Sequence, residues 1–450
     1  MTTSWVRALV AAVACAAVAA CAAGGARTES LSPEGLAALE AQRAQRPTDP
    51  DLNLRLARAY HGANRFADAR AALATVLLQQ PGNRVAQAYL GFTYEGLEQF
   101  DSARAVYGAL LAGRPSGEVS RLLNGRLALL ARKELHANAR AALARESELS
   151  RTPPDPNTVA VFPFRYTGQD SSLRPLERGL AALVVSDLSH VRSLRLVERE
   201  RLQALLDEMQ LATSGRVDPA TGARSGHLVG AGQVVQGQFQ EVPTAGVRLD
   251  AAMVRAADAG VAATGSGRDQ LNLLFDVEKS VVFQLLAKMG VPLTPAESLA
   301  ISERPTRDLQ AFLLYSRGLE QEDRGDFGAA SASFRAAAQR DPSFQAAAQQ
   351  AQSSDAAQSA GGVGSEGNLA AAIGGGGPGG SPAGGTADAL TLAINSTVPS
   401  GAAIVSGTQT TTEINLPVRN DPVCEAAGCG GPTLPPPLSV GTIIIIINRP

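Results

Sequence analysis

Residues 194–215 read LRLVERERLQALLDEMQLATSG. A short apolar run ending at Val197 passes without a turn into a charged segment, where Leu202, Leu205, Leu206 and Met209 recur at helical spacing. Ser214-Gly215 closes the pattern. The stretch predicts a strand that folds straight back as a helix covering its own sheet, with Leu196 and Val197 in the sheet. Glu198 and Glu200 fall near the helix N-terminus, where an exposed carboxylate contributes about 0.3–1 kcal/mol against the helix dipole. Arg199 and Arg201 point outward or pair with acidic neighbours. No catalytic set sits on this joint, which reads as a packing device.

The flanking sequence fits the same plan. Three prolines within Arg151–Asn157 exclude helix, and TVAVFPF (158–164) is a buried, β-branched strand. Leu173, Leu176, Leu180, Leu183, Val184, Leu188 and Val191 then form one face of a helix. A short helix near 219–230 leads into QVVQGQFQEV, a Pro-Thr-Ala-Gly turn and VRLDAAMV, which predict a hairpin. A VAATGSG strand and a helix carrying Leu274, Phe275, Val281, Val282, Leu285 and Leu286 complete the unit. The order gives an α/β sandwich on a mixed sheet. Its VAVFPF opening, the LVERERLQALLDEMQLATSG joint and the HLVGAGQVVQG helix–strand resemble the CsgG family, the curli production assembly/transport component, over about 158–290. The resemblance implies envelope assembly or secretion, because the founding member forms a secretion channel from a ring of subunits. GAGQVVQG lacks G-x-G-x-x-G spacing and follows a helix, so it is no dinucleotide loop.

An internal period of 34 residues runs through 50–116. Leu56, Ala57, Tyr60, Ala69, Leu73, Val76 and Pro81 recur as Leu90, Gly91, Tyr94, Ala103, Tyr107, Leu110 and Pro115. Small residues where helices cross, larger ones between them and a closing proline resemble the tetratricopeptide repeat (TPR). A degraded third unit at 119–149, with Ala137 and Ala141 at its packing positions, predicts a capping helix pair. Gly318, Ala330, Phe334, Ala337 and Pro342 predict one more TPR-like hairpin. The TPR resemblance implies a concave groove for a protein or peptide partner. Its positions fall on Leu54, Arg58 and His61, then on Ala88, Phe92 and Glu95, which read otherwise as solvated helix faces. The basic residues of repeats that clamp a C-terminal carboxylate are mostly missing.

The ends read differently. Arg7 followed by the uncharged stretch Ala8–Ala23 reads as an export signal, too short for a membrane span. It ends in Val18-Ala19-Ala20-Cys21, which resembles a lipobox and implies lipidation of Cys21; Ala22 in place of aspartate implies the outer membrane. Cys424 and Cys429 are then candidates for a small disulfide loop in an oxidising compartment. Residues 351–450 are low-complexity and predict a largely disordered tail. The five isoleucines near its end are too few for a spanning helix.

Charge is almost balanced, 40 basic against 42 acidic side chains, which argues against a nucleic-acid partner. His61, His136, His190 and His227 are scattered without metal-ligand spacing, and His190 closes a helix, where a histidine charge is favourable. No nucleophile elbow, phosphate loop or zinc motif occurs, so no enzyme, cofactor or metal is expected. The expected fold is α+β: signal and lipobox over 1–21, a TPR-like solenoid over 28–150, a CsgG-like α/β sandwich over 157–292, a TPR-like hairpin over 305–350 and the tail. The expected function is a lipid-anchored periplasmic scaffold of the outer membrane, with protein partners and scope for a homo-oligomer. An activator of penicillin-binding proteins and a curli-type channel subunit are the alternatives; the hairpin arms joined by only four residues argue against the channel.

Overall fold

The chain is known from a computed structural model, which describes residues 33–210, 218–243, 246–362 and 364–375. Cys21, Cys424 and Cys429, the export signal and the isoleucine run lie outside the described residues.

Five helices open the described chain: α1 (Pro33–Gln45), α2 (Pro50–Gly62), α3 (Phe66–Gln79), α4 (Arg84–Gly96) and α5 (Phe100–Ala112). Asp49 and Asn83 stand at equivalent points of the period. Each caps its helix, accepting from the backbone N–H of Leu52 and Ala86 respectively. The repeat is locked by size. A Cβ at Gly91 would overlap the Tyr107 ring, and one at Gly318 would overlap the Phe334 ring. Ala57 and Leu73, both fully buried, occupy the corresponding places in the first unit.

The third unit differs from the expected capping pair. Residues Gly117–Ala144 form one helix of 28 residues, α6, followed by the single turn α7 (Glu146–Leu149). No proline interrupts 117–144, so the helix propagates to about 42 Å. Ala139, rather than Ala137 or Ala141, is the buried alanine of its second half.

The sheet contains β1 (Thr158–Val161), β2 (Arg165–Tyr166), β3 (Arg195–Leu196), β4 (Gln233–Val242), β5 (Gly246–Arg255) and β6 (Val261–Gln270). Their order is β3-β1-β4-β5-β6, with β2 also paired to β4. β1 runs parallel to β3 and β4, while β4, β5 and β6 are antiparallel. Alternation along β1 serves two cores. Val159 and Val161 join α8 (Leu176–Ser189) and α11 (Leu274–Lys288) on one face. Ala160 and the following Phe162 join α9 (Arg199–Glu208), α10 (Pro219–Val229) and the second half of α6 on the other. The result is a three-layer sandwich. The short β2 adds to the expected strands, and β6 runs further than VAATGSG.

After α12 (Pro295–Ser302), helices α13 (Leu309–Asp323), α14 (Phe327–Arg340) and α15 (Gln345–Gly361) follow. Phe312, Tyr315, Phe334 and Phe344 lie in the same core cluster as Val159 and Leu180. The predicted separate hairpin is thus an outer layer of the sandwich. The expectation of disorder from residue 351 also needs correction. α15 extends to Gly361, and α16 (Ser365–Gly375) follows it. Ala347, Ala351, Ser354, Ala357 and Ala360 are buried, and a Cβ at Gly125 of α6 would overlap the Ala356 carbonyl oxygen. Small residues permit backbone-close helix packing that a hydrophobicity pattern does not display.

One buried polar cluster joins α8 to α11. Lys279 donates to Asp187 and lies 3.5 Å from Glu278, so one ammonium faces two carboxyl groups. Burial pushes Glu278 well above the carboxylate range, and the Asp187 charge adds to this. A folded-state value raised above the unfolded one means stability that is present at low pH and lost as pH rises. Glu278→Gln cannot ionise. Its stability relative to wild type should therefore grow with pH above about 4.5, by up to about 1.4 kcal/mol per pH unit. Urea denaturation between pH 5 and pH 8 checks this; a difference independent of pH would contradict it.

Candidate functional site

The groove positions of the repeats lie on α2 and α4. Arg58 is exposed and its guanidinium sits 5.1 Å from the Tyr89 ring centroid. His61 meets Phe66, Tyr89 and Phe92 at ring separations of 5.3, 6.3 and 6.1 Å. Leu54 is half-buried. Ala88, Phe92 and Glu95 are buried, which departs from the solvated face expected for them. The structure brings the six positions together along one side of two helices, but covers the second three.

What covers them is charge-bearing. The Glu95 side chain is 1% exposed, and it accepts from Tyr107 Oη at 2.6 Å, Arg126 Nε at 2.6 Å and Lys133 Nζ at 2.8 Å. Burial, reinforced by Glu95, holds the Tyr107 hydroxyl protonated by pushing its pKa well up. Arg126 also lies over the Phe92 ring and donates to Glu366 of α16. His61 Nδ1 is 3.5 Å from the same carboxylate. Sequence reasoning missed Arg126. The available signal was its place in the buried stripe of α6, between Leu122, Leu123 and Leu130.

A second ionic centre forms at the strand–helix joint. Val197 donates its N–H to the Val159 carbonyl, and α9 starts two residues later. Glu198 is exposed at the N-cap without a side-chain capping bond, and Arg201 is exposed. Arg199 is buried. It donates to Asp323 and Glu200 and lies 3.4 Å from Glu322. Arg178 of α8 donates to Asp323 at 2.7 Å, and Arg132 of α6 donates to the carbonyl oxygens of Glu322 and Asp323. Three cations thus converge on the C-terminal end of α13, the negative pole of that helix. Burial, opposed by Arg199 and aided by Glu200 and Asp323, raises Glu322 to about 7.

The remaining histidines stay apart. His136 lies 3.1 Å from Glu208, and His227 Nδ1 is buried without a hydrogen-bond partner. Burial lowers the pKa of His190, so the favourable helix-end charge expected for it is not what this site stabilises. Among the described residues, no three His, Cys, Asp or Glu side chains form a group that could hold a metal ion.

With this geometry in hand, comparison with known families gives two matches. A family model described as Curli production assembly/transport component CsgG matches residues 141–241, from the end of α6 to the end of β4. A Tetratricopeptide repeat model matches residues 33–90, from α1 into α4. The search of curated proteins gives no match. The chain therefore combines a CsgG domain with tetratricopeptide repeats, and the sheet continues beyond the matched region through β5 and β6. Such repeats generally mediate protein–protein contact, and the combination supports an interaction role in envelope assembly.

The Asp323 centre makes a direct prediction. Asp323→Ala leaves buried Arg199 and half-buried Arg178 without their shared carboxylate, and breaking a buried pair costs about 3–5 kcal/mol. Arg201→Ala, at the exposed neighbouring position, should change stability by less than about 0.5 kcal/mol. Denaturant titration of both variants checks the contrast.

Proposed function

We propose that this protein is a non-enzymatic scaffold, held by a lipidated Cys21 at the periplasmic face of the outer membrane. There it presents the α2–α4 groove to protein partners in envelope assembly or secretion. The observation that carries the reading is the groove itself. Exposed Arg58 and half-buried His61, both set against the buried Tyr89 ring, form a cationic and aromatic edge on helices matched by a tetratricopeptide repeat model, within a chain that also matches CsgG. Aromatic and arginine side chains are the usual anchors of protein interfaces.

The outer strands speak for a scaffold over a channel subunit. Val247, Leu249, Ala251 and Met253 of β5 enter the core beneath α11. The opposite face carries Arg248 and Asp250, paired in register with Arg268 and Ser266 of β6. A lipid-facing strand would need apolar residues there. The same lipoprotein reading is shared by a regulator of cell-wall synthesis, which the identity of the captured partner would separate.

Two measurements test the reading. A clickable palmitate analogue should label the wild type, and Cys21→Ala should abolish the label and release the protein from membranes; label kept at wild-type level would refute the anchor. A photo-crosslinking amino acid at position 58 should capture a defined envelope protein in intact cells. The same group at exposed Ala71, on α3, should not. Equal adducts at both positions would remove the groove from the account.

A further inference from the structure

The concave side of the repeats already holds a helix of this chain. Glu366, Leu369, Ala370 and Ile373 recur at the i, i+3, i+4, i+7 spacing of one helical stripe. Leu369, Ala370 and Ile373 are buried in the core cluster of the repeats, with Leu56, Leu90 and Tyr94. At one end of α16, Glu366 meets Arg126 and His61, beside Glu95 in the last turn of α4. At the other end, a Cβ at Gly374 would touch Val85, in the first turn of α4. The helix therefore runs antiparallel to α4 and lies across the positions that the repeat pattern assigns to a ligand.

The connection to α15 suits a detachable segment. The residues between the two helices are Gly362-Val363-Gly364, and Gly364 has φ +81°, a left-handed conformation that costs a glycine little. An open cleft of about 710 Å³ borders it, lined in part by Leu129, Lys133, Phe327 and Gln358. The packed face is also short: three buried apolar side chains, the partly buried Ala372 and one ion-paired carboxylate, Glu366, which remains 30% exposed.

We infer that α16 is an intramolecular ligand of the repeat groove. The groove recognises a short helix with an acidic residue in its first turn and Leu-Ala-x-x-Ile on one face, and a partner carrying that pattern binds by displacing residues 365–375. This rests on the protein-interaction reading of the groove and adds what the partner must look like and what competes with it. Arg126 supplies the positive charge for the acidic residue, and the His61 ring lies beside it. The apolar stripe enters the core between α4 and α6, so a partner without Leu and Ile at those positions leaves that core open to water.

The test uses the full chain and a fluorescein-labelled synthetic peptide of residues 364–375. In full-length Leu369→Asp/Ile373→Asp the groove is vacated. Fluorescence anisotropy should show the peptide binding this variant at least tenfold more tightly than wild type, and a Glu366→Lys peptide losing most of that affinity. Equal binding to wild type and variant, or no binding to a variant that keeps its circular dichroism, would overturn the inference. A second arm guards against a misfolded variant. A specific protease site is placed at 362–364 of the otherwise unaltered chain, and the cut protein is analysed by gel filtration. Residues 365–450 should co-elute with the body and leave it when excess peptide is added; immediate loss without peptide, or retention despite it, contradicts the proposal. If the peptide behaves as predicted while position 58 captures no envelope protein, the cis-ligand stands and the scaffold function falls.

Discussion

Arg199 cannot be buried alone. Moving a guanidinium out of water costs several kcal/mol unless fixed partners replace the lost hydration. At the start of α9 those partners are Asp323 and Glu322, contributed by the end of α13, with Glu200 beside them. Arg178 shares Asp323, and Arg132 binds the terminal carbonyls of the same helix. The sheet domain and the helices after it are therefore mutually dependent. Neither can leave without stranding charge in a dry interface.

The long helix α6 extends this dependence to the repeats. Its first half closes the repeat core through Val119, Leu122 and Leu123. Its second half covers α9 and α10 through Ala139, Leu135 and Leu143. Along its side, Gly125 lets α15 approach to backbone contact. One element thus touches the repeats, the sandwich and the C-terminal helices.

Much of this was legible in the sequence wherever large apolar side chains recur with a period. The alternation in TVAVFPF marks a strand with two buried faces, and the seven apolar positions from Leu173 to Val191 are all buried. The 34-residue repeat was visible because a small residue at one position answers a large one at another, as Gly91 answers Tyr107. What escaped was structure built from small or charged groups. Helices α15 and α16 pack through alanine, serine and glycine, a composition that reads as low complexity. For Arg199 the sequence left open an outward position or a pair with an acidic neighbour; Glu200 is such a neighbour, but Asp323 is far away in sequence, and charge pairing over that separation leaves no periodic trace. Helix α16, which packs on the core of the repeats, lies in the segment expected to be disordered.

Repeats, sandwich and C-terminal helices should unfold as one cooperative body around α6. Native-state hydrogen exchange of the full chain, followed by mass spectrometry through rising sub-denaturing urea, tests it most directly. Amides of 117–144, 199–208, 309–323 and 345–361 should lose protection together, at one opening free energy. Separate openings, with 345–361 exchanging freely while 117–144 and the sheet stay protected, would contradict it.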